Sequence, residues 1–190
     1  MTARSALSLR ELVTKWKWLI LPLGGILFAL TVIFPQIGAF EWIALIPSLL
    51  VILTIASDPT VRYRRLYGLG LCFFWPFYAV NFHWFLYMYP LDFAGMSNAA
   101  SAVVVGFACL GLSLFQALGA ALLFPLMGVA MRGKWLSEHT MLHPILFACL
   151  WTALEWWQAH SGWSGVPWAR LAIGQAETVL HLQSAAIFGS

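Results

Sequence analysis

The sequence predicts an all-α integral membrane protein, a helical bundle of five spans plus the start of a sixth. Three observations predict it. The 190 residues are 62% hydrophobic and only 9% charged, whereas soluble domains carry about 25% charged and about 45–50% apolar residues. Runs of 17 residues or more, apolar on all sides, recur along the chain. Such runs suit spanning helices of about 20 residues, not barrel strands of about 10 residues with alternating polarity. The basic residues gather on alternate connections between those runs, the mark of a multi-pass protein.

The elements follow in order. Residues 1–17 form an N-terminal segment carrying Arg4, Arg10, Lys15 and Lys17, expected to be cytoplasmic; residues 18–190 form the transmembrane domain. The first run covers 18–34 and closes at Pro35. The second covers 40–57, contains Pro47, and leads into a polar stretch with Arg62, Arg64 and Arg65. The third, 66–89, is uncharged throughout. The fourth, 99–131, is too long for a core of ~30 Å at ~1.5 Å per residue, so it must tilt, protrude or kink. Pro125 is the expected kink. The fifth covers 141–157, and a last apolar stretch runs over 179–190. In hydrocarbon every backbone polar group needs an internal partner, so these runs must be helices.

Nine of the ten Lys and Arg fall on alternate connections; only Arg170 does not. This positive-inside pattern predicts a cytoplasmic N-terminus. Trp16, Trp18, Trp42, Trp84, Tyr87, Tyr89, Trp156, Trp157, Trp163 and Trp168 cluster at span ends, as an aromatic belt requires. Small residues in the fourth run (Gly106, Gly111, Ser113, Gly119, Ala120, Ala121) offer close helix approach. The basic pI of 8.9 reflects topology control, and no nucleic-acid partner is expected. Cys72, Cys109 and Cys149 lie inside apolar runs without C-x-x-C spacing, as inert thiols do.

Candidate chemistry is sparse. Glu155 stands near the outward end of the fifth run, and a membrane-embedded acid is a functional candidate by default; Gln158, His160 and Arg170 are its candidate partners. His83 reads as a hydrogen-bonded structural histidine. His139 and His143 stand at i, i+4, but only Glu138 is near as a third ligand, and no metal site or cofactor is expected. Two irregular, aromatic-bearing loops face outward: residues 92–97, and residues 161–168 with two glycines and a proline. A ligand or another domain would meet the bundle there. A small transporter would instead need polar residues along a path, and mid-span positions offer mainly Asn81, Ser113 and Gln116. A scaffold subunit is the other alternative.

The same loops resemble the bacterial apolipoprotein N-acyltransferase family. Glu155 begins that family's acid-and-turn pattern, Gly165-Val166-Pro167-Trp168 stands where Gly-Phe-Pro-Trp would, and Gln175 keeps its spacing from Trp168. Trp84, and then Phe93-Ala94-Gly95-Met96, look like the family's Asn-Trp and Phe-Gly-Gly-Met elements. Departures are the turn, one residue longer, Gln158 and Ala159 where an Arg is usual, Val166 for Phe, and Ala172 for Gly. The resemblance implies transfer of a phospholipid acyl chain to the N-terminal Cys of a diacylated lipoprotein, at the bacterial inner membrane. In the family that chemistry belongs to a Glu-Lys-Cys site on an exported nitrilase-like domain. No lysine or cysteine of this chain falls in a predicted outward loop, so no catalytic residue is expected here. The resemblance implies a membrane portion, truncated relative to the family and inactive alone, which anchors the catalytic domain and admits lipid. It gives lipid or domain contact to Trp84, Phe93, Gly95, Met96, Trp163 and Trp168, and loop structuring to Glu155, Gly165, Pro167 and Gln175.

Overall fold

The computed structural model describes residues 9–162, together with Ile173 and Gln183. Within them the chain is helical, without strands. The helices are α1 (Leu9–Ile33), α2 (Glu41–Ala44), α3 (Ile46–Ala56), α4 (Tyr63–Asn81), α5 (Asn98–Ala120), α6 (Leu123–Met131), α7 (Lys134–Glu138) and α8 (His143–Ala159). Four segments among the described residues are long and apolar enough to cross a membrane: Arg10–Ile33, Pro35–Ala56, Tyr63–Met88 and Asn98–Met131. The fifth predicted run is α8, whose 17 residues sit at the short end of what crosses a bilayer. The sixth lies outside the described residues.

Prolines set the breaks. The fourth run divides at Ala121 and Leu122, between α5 and α6. Pro125 has no N–H to give the carbonyl four residues back, at Ala121, and its ring crowds that carbonyl. The expected kink is therefore present, one turn before the proline. The second run is more broken than its composition suggests. A 3₁₀ segment, Pro35–Phe40, leads into it, and it passes through α2 before α3 begins; Pro47 cannot donate to Ile43. The third run ends as α-helix at Asn81 and continues as a 3₁₀ segment, His83–Met88.

α4 is the central rod, packed against α1, α3, α5 and α6. Its buried face is aromatic: Phe73, Phe74, Phe77 and Tyr78 meet Phe28 of α1, Phe124 of α6 and Trp151 of α8. Phe73 and Phe74 cross edge to face at 5.0 Å, and Trp151 crosses Phe73 edge to face at 6.0 Å, the geometry that ring quadrupoles favour. Glycines bring backbones together here. A Cβ on Gly25 would strike the Phe73 carbonyl, and one on Gly70 would stand 2.7 Å from the Ala121 carbonyl oxygen. In the fourth run close approach belongs to its second half, where Ala117, Ala120 and Ala121 are buried. Gly106 faces open space, and Gly111 meets only Phe107 of its own helix.

The loops at one end are tied together. Arg132, after α6, donates from Nε to the Ala56 carbonyl at 2.9 Å and from Nη2 to the Val61 carbonyl at 2.8 Å, and its guanidinium lies 4.7 Å from the Tyr63 ring centre. The first bond satisfies a carbonyl that the end of α3 leaves open, and the second ties in the connection that follows. Asp58 accepts from the Thr60 hydroxyl at 2.7 Å and the Thr60 amide at 2.9 Å. Those two donors hold its carboxyl below the usual carboxylate range.

Candidate functional site

Two regions carry the residues singled out by sequence. The first is the aromatic rim between α4 and α5. Trp84 sits on the 3₁₀ segment that packs against α5, stacked on Phe85 at 4.0 Å, and its indole is partly exposed. Phe93 lies on a single 3₁₀ turn, Asp92–Ala94, and is 81% exposed. Gly95 ends that turn at φ +66°, the left-handed conformation glycine adopts without penalty. Met96 is exposed beside it. The loop is held at both sides. The buried Leu91 donates its amide to Ser101 Oγ at 3.2 Å, and Ser97 caps α5 by accepting from the Ala100 amide at 3.3 Å. A fixed loop thus presents Phe93 outward.

The second region is on α8. Glu155 is half-buried, and Trp151 Nε1 donates to its Oε1 at 2.8 Å. The two residues stand at i, i+4 on one helix face. Of the partners expected for Glu155, Gln158 bonds elsewhere, and His160 donates from Nδ1 to the Trp156 carbonyl of its own helix and stacks on Trp156. Gln158 is the centre of a buried chain across three helices. Tyr78 of α4 donates to Gln158 Oε1 at 3.2 Å; Gln158 Nε2 donates to the Gln116 backbone carbonyl at 2.9 Å and to Gln116 Oε1 at 3.2 Å. Interhelical hydrogen bonds of this kind hold helices together where lipid supplies no hydrophobic drive.

Beside that chain lies a groove of about 1030 Å³ between α4, α5 and α8. Leu118, Leu122, Phe115 and Trp157 form its apolar walls, with Gln116 and Gln158 at its polar base. Gly119 borders it, and a Cβ there would stand 3.3 Å from both Gln158 Nε2 and Trp157. A much smaller pocket is lined by Gln158, Tyr78, Trp151 and Glu155 among others.

Trp163, Gly165, Pro167, Trp168 and Gln175, with the proposed partner Arg170, lie outside the described residues. His83 rests its Nδ1 on the Val80 carbonyl at 2.8 Å, as a structural histidine does. His143 places Nε2 on the Leu136 carbonyl at 2.8 Å. The mid-span polar residues Asn81 and Ser113 bond to carbonyls of their own helices, Phe77 and Cys109. Sequence reading missed Tyr78 and Trp151. The i, i+4 spacing from Trp151 to Glu155 was a usable signal, whereas the Tyr78–Gln158 pairing joins residues 80 positions apart and left no local mark.

The Gln158 chain yields a double-mutant prediction. Gln158→Leu leaves the buried Tyr78 hydroxyl without its hydrogen bond, at a cost of about 0.6 kcal/mol and at most about 1.7 kcal/mol by membrane precedent. Tyr78→Phe combined with Gln158→Leu should cost less than the sum of the two single changes, measured by unfolding in detergent. Strict additivity would mean the contact does not form.

The architecture defines a multi-pass, all-α membrane protein with an aromatic core, a fixed aromatic rim and an internal polar chain. Within that class the chain matches the apolipoprotein N-acyltransferase N-terminal domain over residues 24–190, and it belongs to that family. No curated protein and no solved structure matches it.

Proposed function

We propose that this chain is the membrane part of an apolipoprotein N-acyltransferase-like enzyme that admits phospholipid sideways from the bilayer and anchors a nitrilase-like catalytic domain, supplied in cis or trans, at its outward face. The diacylated lipoprotein is the acceptor in this reading. The protein sits in the bacterial inner membrane with its N-terminus in the cytoplasm. The observation that carries lipid admission is the groove between α5 and α8, with apolar walls suited to acyl chains and two glutamine amides at its base. Its lining includes Ser161, just past the C-terminus of α8. Phe93, Trp84 and Met96 form the outward rim against which a further domain would rest. The orientation draws support from the tie between Arg132 and residues 56–61, which gathers basic connections at one end.

A transporter reading is less well supported, because Asn81 and Ser113 spend their polar atoms on their own helices. The test is photo-crosslinking with a phospholipid bearing an acyl-chain diazirine in native membranes. Label is expected on the peptides around Leu118 and Trp157. Leu122→Trp, which fills the groove from an exposed position, should reduce that label severalfold while labelling elsewhere persists. Equal labelling of the filled variant would overturn the entrance.

A further inference from the structure

We propose that a second groove, between the start of α1 and the end of α3, binds the headgroup of an anionic glycerophospholipid in the leaflet at the basic end of the bundle. It has a volume of about 690 Å³ and is lined by Arg10, Val13, Leu50, Thr54 and Ser57. Those five residues form two facing stripes at helical spacing. Arg10 and Val13 stand at i, i+3 on α1; Leu50, Thr54 and Ser57 follow at i, i+4 and i, i+7 on α3 and its C-cap. Chain direction gives the groove a polarity. Arg10 and Ser57 lie at the helix ends, Thr54 and Val13 one turn inward, and Leu50 two turns inward. A charged donor at the rim, hydroxyls below it and aliphatic walls beneath is the order of a phospholipid from phosphate to acyl chain.

The polar lining has donor capacity to spare. Among the described residues, the Arg10 guanidinium makes no hydrogen bond or ion pair, and the Thr54 hydroxyl makes none. Ser57 spends its hydroxyl proton on the Leu53 and Thr54 carbonyls at 2.9 and 3.3 Å, so the spare donors are those of Arg10 and Thr54. The surrounding field is positive. Asp58, next to the groove, lies in the field of both Arg10 and Arg132, and Lys17 in that of Arg65. Asp58 takes both Thr60 donors on Oδ1 and, among the described residues, forms no ion pair with Arg10. Basic residues at a membrane surface attract anionic lipid, and guanidinium suits phosphate in particular. Free phosphate would find the same donors, but it would leave the Val13 and Leu50 walls uncovered. A lipid covers both.

This site is independent of the entrance between α5 and α8, and it does not depend on acyl transfer. The full chain, purified in detergent, is titrated with phosphatidylglycerol, with phosphatidylcholine and with inorganic phosphate, and bound species are counted by native mass spectrometry. A one-to-one phosphatidylglycerol adduct is expected, favoured over phosphatidylcholine and not displaced by excess phosphate. Arg10→Gln should weaken it about tenfold, as the loss of one charge-assisted hydrogen bond implies. Leu50→Trp, which fills the groove and keeps every charge, should weaken it comparably. Arg64→Gln, which removes one charge from an exposed position outside the groove, should leave it nearly unchanged. Equal loss in Arg10→Gln and Arg64→Gln would reduce the effect to diffuse charge and overturn the site. Displacement by inorganic phosphate, or indifference to the lipid headgroup, would overturn it as well.

Discussion

Gly25→Ala is expected to lower the stability of the bundle more than any other single added methyl. Helix propensity alone favours the change, since alanine is about 0.8–1.0 kcal/mol better than glycine in a helix interior. Packing opposes it. The new Cβ would collide with the Phe73 carbonyl of α4, and the Phe73 carbonyl carbon and the Phe77 amide nitrogen lie 3.2 and 3.4 Å away. Overpacking typically costs about 1–3 kcal/mol when side chains can shift aside. These are backbone atoms in a helix whose neighbours, Phe73 and Phe77, are fully buried, so the cost belongs at or above the upper end of that range. α1 and α4 would have to separate, and the Phe28–Phe77 contact at 5.6 Å would separate with them. The check is thermal unfolding of the chain in detergent, beside Gly106→Ala, where a Cβ meets nothing within 4 Å. Gly106→Ala should be neutral or slightly stabilising. If the two variants melted together, the α1–α4 packing would be wrong.

That contrast also marks how far the sequence was legible. The solvent of the protein could be read from length and apolarity, because no other environment tolerates runs of this kind. The break in the fourth run could be read from Pro125, because a missing N–H is a local fact. Which helix faces meet was not readable. The runs are apolar all round, so no amphipathic stripe says which side of α5 turns inward. In lipid, pairing is decided by close van der Waals fit, and that fit involves Gly70 and Ala121, which lie far apart in the chain. Gly106 and Gly119 look alike in sequence, yet only Gly119 stands against another helix. The candidate site divides in the same way. Glu155 was visible as a costly carboxylate; its bond to Trp151 was not foreseen, and of its three expected partners Gln158 and His160 bond elsewhere while Arg170 lies outside the described residues. Gln158 is drawn off by Tyr78 and Gln116, two helices that nothing local associates with it. The rim at Phe93 was legible in kind because Gly95 marks a turn. Its fixing through Leu91 and Ser101 was not.

Trp151→Ala should produce the largest loss of any core substitution on α8, and it should remove function along with stability. Trp151 is 4% exposed and touches Phe28, Phe73, Phe74, Phe77 and Phe147 at ring separations of 5.1 to 6.3 Å. Truncating a buried tryptophan typically costs about 3–5 kcal/mol. The dispersion part of that cost survives in lipid, because the cavity left behind is lined by rings that lose their partner atoms. The same side chain holds Glu155 through Nε1. α8 carries Glu155, Gln158 and Trp157 together, so a helix that loses its anchor loses the carboxylate's placement and one wall of the lipid groove. Trp151→Phe separates the two contributions. It keeps an aromatic ring against Phe73 and Phe74 and removes only the donor to Glu155, at a cost of about 0.5–1.5 kcal/mol for one hydrogen bond, plus the smaller ring's lost contacts. Unfolding temperature in detergent should therefore fall steeply in Trp151→Ala and modestly in Trp151→Phe. Acyl-chain photo-labelling near Leu118 should be lost in the first and retained in the second. A Trp151→Ala protein that melts and labels as the parent does would show that α8 is held by something other than this aromatic cluster, and the groove that α8 helps to form would lose its structural basis.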